Sequence, residues 1–360
     1  MRTNALPSSS GRIFELDSLR GLAALAVVVY HHGSHFHVFP LATLFAPLYA
    51  DGWRAVDFFF VLSGFVLARA YWTPSRKDRL FRNFWDRIGR LYPLHLVTLL
   101  FVALGQWYLM FGLNQSDYIY HINDGFHFLL NLFLVHGMDS SFNGPSWSIS
   151  TEFVVNVLFF LIILLPRRLA FAAFLVAIAF TFVPREGVLE LATPFIRTLR
   201  GFCIGVLLHW AFVLIARRPY AWLPRVADVT FVLSLAGTIA YGYLLETDLN
   251  LSGGIILVLF CFMILSAPLS SLAAWGLNRK PLVYLGEISY SVYLVHFPLQ
   301  LTLWLAYVTL GVTWPFGDLA GLAAFMVLTL ACASLTYRYI EMPGKRLMRL
   351  RRKGYVDAIA

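Results

Sequence analysis

Arg20 and His31 bracket one apolar run, Gly21-Leu22-Ala23-Ala24-Leu25-Ala26-Val27-Val28-Val29-Tyr30. A helix crosses a bilayer only when its polar groups find partners, so ionisable residues at both ends of such a run point to function. On a helix their separation is about 16 Å of rise, which sets the arginine near one interface and the imidazole past the midplane. An imidazole can take a proton from a hydroxyl, and a neighbouring carboxylate fixes its tautomer and stabilises the imidazolium. Asp57, in Gly52-Trp53-Arg54-Ala55-Val56-Asp57-Phe58-Phe59-Phe60 at the start of the next run, is the expected orienter for His31. A capping or interfacial histidine is an equally open reading of His31. His32 points roughly 100° away on the helix and, with His35 and His37, is expected at the interface or in a loop.

Further ionisable residues fall at the same expected level. Glu152 follows Gly144-Pro145-Ser146-Trp147-Ser148-Ile149-Ser150-Thr151, and Arg197 and Arg200 sit three apart on one helix face. With Arg54 and Asp57 these form an expected outer cluster, for which buried structural ion pairing is the competing explanation. On the other side Arg87-Ile88-Gly89-Arg90 precedes Leu91-Tyr92-Pro93-Leu94. Two guanidinium groups three apart can fork onto phosphates, whether those of a nucleotide or of lipid headgroups.

The elements that must position these residues are membrane helices. The 360-residue chain is 59% hydrophobic and 13% charged, and the apolar excess runs almost end to end. Its net charge of +9 is gathered between apolar runs, which favours cytoplasmic loops over a nucleic-acid partner. Cys203, Cys261 and Cys332 lie inside apolar runs without paired spacing, so neither disulfide nor metal chemistry is expected. Runs of near-spanning length occur at 20–38, 53–72, 90–112, 147–165, 168–184, 195–216, 226–245, 252–272, 282–308 and 317–338. The shorter run at 125–137 reads as re-entrant or interfacial. With both termini cytoplasmic, all of the 28 basic residues except Arg54, Arg185, Arg197 and Arg200 fall inside, and counting 125–137 as a span would destroy that bias. The expected fold is all-α: ten transmembrane helices plus one short helix, residues 1–360 forming a single membrane domain. Its core covers 13–346, its basic tail (347–360) rests on anionic headgroups, and no fused soluble domain is expected.

The ordered motifs resemble acyltransferase family 3, integral membrane O-acyltransferases of bacterial surface polysaccharides and some metabolites. They are Leu16-Asp17-Ser18-Leu19-Arg20 with ten residues to His31, Asp57-Phe58-Phe59-Phe60-Val61-Leu62-Ser63-Gly64-Phe65, Arg87-x-x-Arg90-Leu91-Tyr92-Pro93, Trp147-Ser148-Ile149-Ser150-Thr151-Glu152, the stretch from Tyr284 to His296, and Tyr339-Ile340-Glu341-Met342-Pro343. The resemblance implies an acyl-CoA donor, usually acetyl-CoA, entering from the cytoplasm, and a carbohydrate hydroxyl acceptor reached from outside a bacterial inner membrane. It implies His31 as the catalytic histidine with Arg20 required beside it. Arg87 and Arg90, with Arg69 and Tyr92, would hold the donor's nucleotide end. Trp147, Ser148 and Glu152 would form the acceptor side with Arg54, Arg197 and Arg200, while Ser289, Tyr290, Tyr293 and His296 would line the core. A proton-coupled transporter is the rival class, since intramembrane charge suits both, but it calls for an internal repeat that the sequence does not show.

Overall fold

The computed structural model describes residues 11–72, 80–114, 124–183, 193–217, 220–244, 253–312 and 318–348. The basic loop at 73–79, Arg185, the loop at 246–252 and the tail beyond residue 348 lie outside them. Among the described residues all regular structure is helical. The α-helices are α1 (Phe14–Phe36), α2 (Ala42–Asp51), α3 (Ala55–Tyr71), α4 (Leu80–Trp107), α5 (Gly125–Leu132), α6 (Trp147–Ile162), α7 (Arg167–Phe180), α8 (Thr193–Ala216), α9 (Leu223–Leu244), α10 (Gly253–Ser266), α11 (Ser271–Leu277), α12 (Lys280–Leu310) and α13 (Leu319–Thr336).

Two helix crossings organise the bundle, α1 against α12 and α3 against α8. Lipid tails are as apolar as leucine, so such helices associate through close backbone packing, and glycine permits it. A methyl group at Gly286 would strike the Asp17 carbonyl, and one at Gly21 would come within 2.8 Å of the Gly286 nitrogen. At the second crossing, a methyl group on Gly205 would run into the Val61 carbonyl, and one on Gly64 into that of Phe202. Apolar clusters fill around both crossings. Val27, Val28 and Ala24 of α1 meet Ile288, Val292 and Val295 of α12, and Leu67 and Ala68 of α3 meet Phe202 and Val206 of α8.

Among the described residues six helices are long and apolar enough to cross a membrane: Arg87–Gly112, Gly144–Ile162, Thr193–Ala216, Leu223–Leu244, Lys280–Leu310 and Leu319–Met348. Gly253–Leu269 and Ser271–Leu277, bent by 88° at their junction, add a seventh if they are counted as one span. The other expected spans fall on α1, α3 and α7, which are shorter or less apolar than these. The 17 residues of α3 and 14 of α7 are short for a crossing, and α1 carries Glu15, Asp17 and Arg20 at its start and histidines at its end. The expected outer loop at 38–52 holds α2, whose Pro47 packs against Gly242 of α9.

The run at 125–137 forms one short helix, α5, capped by Asp124, whose carboxylate accepts from the His127 backbone N–H and is held below the ordinary aspartate pKa by that bond. The chain then folds back over Asn131. Its amide donates to the His127 and Ser140 carbonyls (2.8 and 2.6 Å) and accepts from Phe142 N–H (3.1 Å), while its own carbonyl accepts from His95 Nε2 (2.8 Å). This turn delivers 144–146 to the start of α6.

Gly205→Ala is expected to cost about 1–3 kcal/mol, because the added methyl must push the backbones of α3 and α8 away from each other. The thermal midpoint in detergent should fall, whereas Gly276→Ala, where the methyl meets nothing within 4 Å, should leave it unchanged. Equal midpoints would contradict this packing.

Candidate active site

The end of the bundle that carries the start of α1, α4 and α12 opens into a cleft. Three arginines line it: Arg20 of α1 and Arg87 and Arg90 of α4. Each is anchored by a carboxylate from another turn or helix, because an unpaired guanidinium in this setting would pay its full desolvation. Arg20 donates to Gly286 carbonyl (2.6 Å) and Ser289 Oγ (2.9 Å) of α12 and pairs with Asp17 (3.2 Å). Arg87 pairs through Nη2 with Glu152 of α6 and donates to Ser63 Oγ of α3 (3.0 Å), while Ser63 donates to Glu152 (2.6 Å). Arg90 Nε donates to Glu341 (3.0 Å), a carboxylate only 1% exposed that also accepts from Ser291 Oγ (3.1 Å). These bonds use only some of each fork. The buried Nε of Arg87 has no partner among the described residues, so donors remain for an anion in the cleft.

Ser148, Phe59 and Tyr293 also line the cleft. Tyr293 is fixed there by its hydroxyl, which lies 2.7 Å from Ser148 Oγ and donates to the Pro145 carbonyl (3.0 Å), and its ring stands edge-on to Phe59 with centroids 5.8 Å apart. One helical turn beyond Tyr293 on α12 comes His296, fully buried, with ring centroids 6.1 Å apart. His296 Nε2 lies 3.1 Å from His31 Nδ1 of α1. His31 is therefore not itself on the cleft wall but stands behind the Phe59–Tyr293 pair. His35 stacks on its other face, with centroids 5.4 Å apart. His32 is buried against Phe36 and Phe325, inside the protein where an interfacial position was expected.

Two expectations are corrected here. Asp57 is not the partner of His31: both its oxygens accept from Arg197 of α8 (2.5 and 2.9 Å), a bidentate pair that leaves the carboxylate little capacity for an imidazole. Nor does Glu152 share the outer level. It lies five residues into α6, about 7.5 Å deeper than Trp147, which places it against Arg87. What remains of the outer cluster is a set of ion pairs braced by indoles. Arg54 pairs with Asp51 and lies over Trp53 (4.7 Å), and Arg197 lies over Trp53 (4.3 Å) and Trp147 (5.9 Å). Arg200 lies over Phe182 (5.7 Å).

Of the remaining expected residues, Tyr290 lines the cleft and donates to the Leu91 carbonyl (2.6 Å). Arg69 donates to Gly11 carbonyl (3.0 Å) and is not on the cleft wall. Tyr92 donates to Leu132 carbonyl (3.0 Å) and lines a neighbouring apolar cleft beside Arg87. Ser63 and Glu341 fall within the family motifs without an expected role, although a carboxylate amid apolar residues is itself a signal. Among the described residues no three His, Cys, Asp or Glu side chains are grouped to hold a metal.

The structure is an apolar helical bundle with an arginine-lined cleft and a buried histidine pair, and comparison with known proteins gives its class. The family model for the acyltransferase domain matches residues 13–338, and the chain belongs to this family, acyltransferase family 3. It is an acyltransferase and a multi-pass membrane protein. Acyltransferase MdmB of Streptomyces mycarofaciens is 29% identical over 96% of this chain and 95% of its own length. O-acetyltransferase OatA of Staphylococcus aureus is 25% identical over 94% of this chain, which spans 57% of OatA. Protein 2 in the picA locus of Rhizobium radiobacter is 32% identical over 41% of this chain and 81% of its own length. No solved structure matches.

Arg197→Ala would strand a buried Asp57 carboxylate and is expected to destabilise the fold by on the order of 3 kcal/mol, with the Asp57→Asn/Arg197→Gln pair closer to the original in thermal midpoint. An unchanged midpoint for Arg197→Ala would return Asp57 to the groups available to His31.

Proposed function

We propose that this protein transfers an acetyl group from cytoplasmic acetyl-CoA to a hydroxyl of a carbohydrate on the outer side of a bacterial inner membrane. The single observation that supports it most is one chain of side chains: Arg20, Arg87, Arg90 and Tyr293 line the same cleft, and His296, one turn beyond Tyr293, touches His31. On this reading the phosphates bind at the arginines, the pantetheine arm follows the cleft, and the edge-on contact of Phe59 and Tyr293 must open for the thioester to reach His31. Ten spans with both termini cytoplasmic put the cleft mouth inside and His31 toward the outside, and this orientation rests on the distribution of basic residues.

The chemistry at that point is direct transfer. His31 takes the proton of the acceptor hydroxyl while its oxygen forms a bond to the thioester carbonyl carbon. The tetrahedral intermediate collapses with loss of the C–S bond, and the imidazolium returns the proton to the departing CoA thiolate. Ester and free CoA thiol are the products, and the ring ends as it began. Enclosure by the bundle keeps water from competing with the acceptor. Similarity to a protein named O-acetyltransferase supports the acetyl group and the oxygen acceptor.

The test uses purified protein in nanodiscs with radiolabelled acetyl-CoA and oligosaccharide acceptors. His31→Ala should lower transfer by roughly 1,000-fold or more with donor binding intact. Arg87→Ala should raise the donor KM by roughly 10-fold, the value of one charge-assisted phosphate contact. Undiminished transfer by His31→Ala would refute the reading, and label appearing only on a small soluble hydroxyl compound would replace the carbohydrate acceptor with a metabolite.

A further inference from the structure

The proposed chemistry asks His31 to present a lone pair to the acceptor hydroxyl, which requires one tautomer held in one orientation. Among the described residues no carboxylate is seen hydrogen-bonded to His31, and Asp57, the expected one, is held by Arg197. What touches the ring is another imidazole. His296 Nδ1 lies 3.2 Å from the Val292 carbonyl, one turn back on α12, and a carbonyl can only accept, so Nδ1 carries the proton. The reverse tautomer would set two lone pairs against each other at a fully buried site, with the desolvation cost of both. A neutral imidazole with its proton on Nδ1 has its lone pair on Nε2, and Nε2 faces His31 Nδ1 at 3.1 Å. His31 must then be the donor in that contact. That contact puts the His31 proton on Nδ1.

We infer that His296 is the positioning residue of the proton-transfer site: it accepts from His31 Nδ1–H and thereby fixes His31 as the tautomer whose Nε2 lone pair meets the substrate. This rests on His31 being the base proposed above. When His31 takes the acceptor's proton at Nε2, the bond to His296 becomes charge-assisted, so the imidazolium is stabilised as it forms. A neutral acceptor does this without a second buried ion, which suits a site where an unpaired carboxylate would be costly in the ground state. His35 also packs against the His31 ring, with centroids 5.4 Å apart.

Three variants separate the roles. In His296→Gln the side-chain carbonyl reaches the position of the lost Nε2 and can still accept. In His296→Asn the amide is too short, and His296→Phe fills the space with no acceptor. Kinetics in nanodiscs should show kcat for the Gln variant within about 10-fold of the original, and losses of roughly 100-fold or more for Asn and Phe, with the acetyl-CoA KM moving no more than about 2-fold. Nitrogen NMR on histidine-labelled protein, with His31 assigned by difference against His31→Ala, should find its proton on Nδ1. Turnover by the Phe variant at the original rate would overturn the inference, as would Gln falling together with Phe or an unprotonated Nδ1 in the spectrum. If Phe does not fold, the Gln/Asn contrast and the spectrum decide. Full transfer by His31→Ala would be a different failure, that of the acyltransfer chemistry assigned to His31.

Discussion

A guanidinium placed inside an apolar bundle must be paired, and the way three of them are paired here shapes the cleft. Asp17, Glu152 and Glu341 each occupy a share of one arginine fork, and each comes from a different place: the turn before Arg20, the early turns of α6, and the end of the chain's last described helical stretch. Separate helices are thus pinned to one another around a space that none of them fills. The pairing is partial by construction, since a carboxylate has two oxygens and a guanidinium five donors. A fully neutralised cluster would be a structural brace. This one keeps surplus donors, which is what the proposed binding of the donor's phosphates calls for.

The crossing of α1 and α12 ties the two ends of the site together. Gly21 and Gly286 let the backbones approach near the arginine end, and the same pair of helices then brings Arg20 to Ser289 and, about three turns later along α1, His31 to His296. Two rigid elements therefore set both the anion-binding mouth and the histidine pair, with Tyr293 and Phe59 between. Positioning by helices favours the narrow geometric tolerance that acyl transfer demands. In the proposed chemistry proton handling falls to an imidazole pair instead of an imidazole and a carboxylate, while Asp57 holds α3 to α8 through Arg197.

Much of this is legible in the amino-acid order, because ionisable residues in apolar runs stand out. Arg20, His31, Arg87 and Arg90 can be singled out from depth alone, and the helical class from the near-continuous apolar runs. Their partners cannot. Whether Asp57 turns to His31 or Arg197 depends on which helix crosses α3, and no local pattern encodes that α8 does so through Gly205. Glu152 escapes for a related reason: a position near the start of an apolar run suggests the outer surface, whereas α6 begins inside the fold after the turn over Asn131. Helices α2 and α11 are hidden more simply, since at ten and seven residues they are too short to show periodicity. The polar ends of α1 lower its hydropathy, yet they are satisfied by protein.

The central claim is that one donor molecule lies along the cleft with its phosphates at α4 and its acyl carbon beside α1. Photo-crosslinking with two hydrolysis-resistant acetyl-CoA analogues, one reactive at the adenine and one at the acyl end, followed by peptide mapping, tests it most directly. The account predicts adenine-end labelling on α4 near Arg87 and Arg90 and acyl-end labelling on α1 and α12 around His31 and His296. Both ends labelling the arginine mouth alone, with α1 unmarked beyond Arg20, would contradict it.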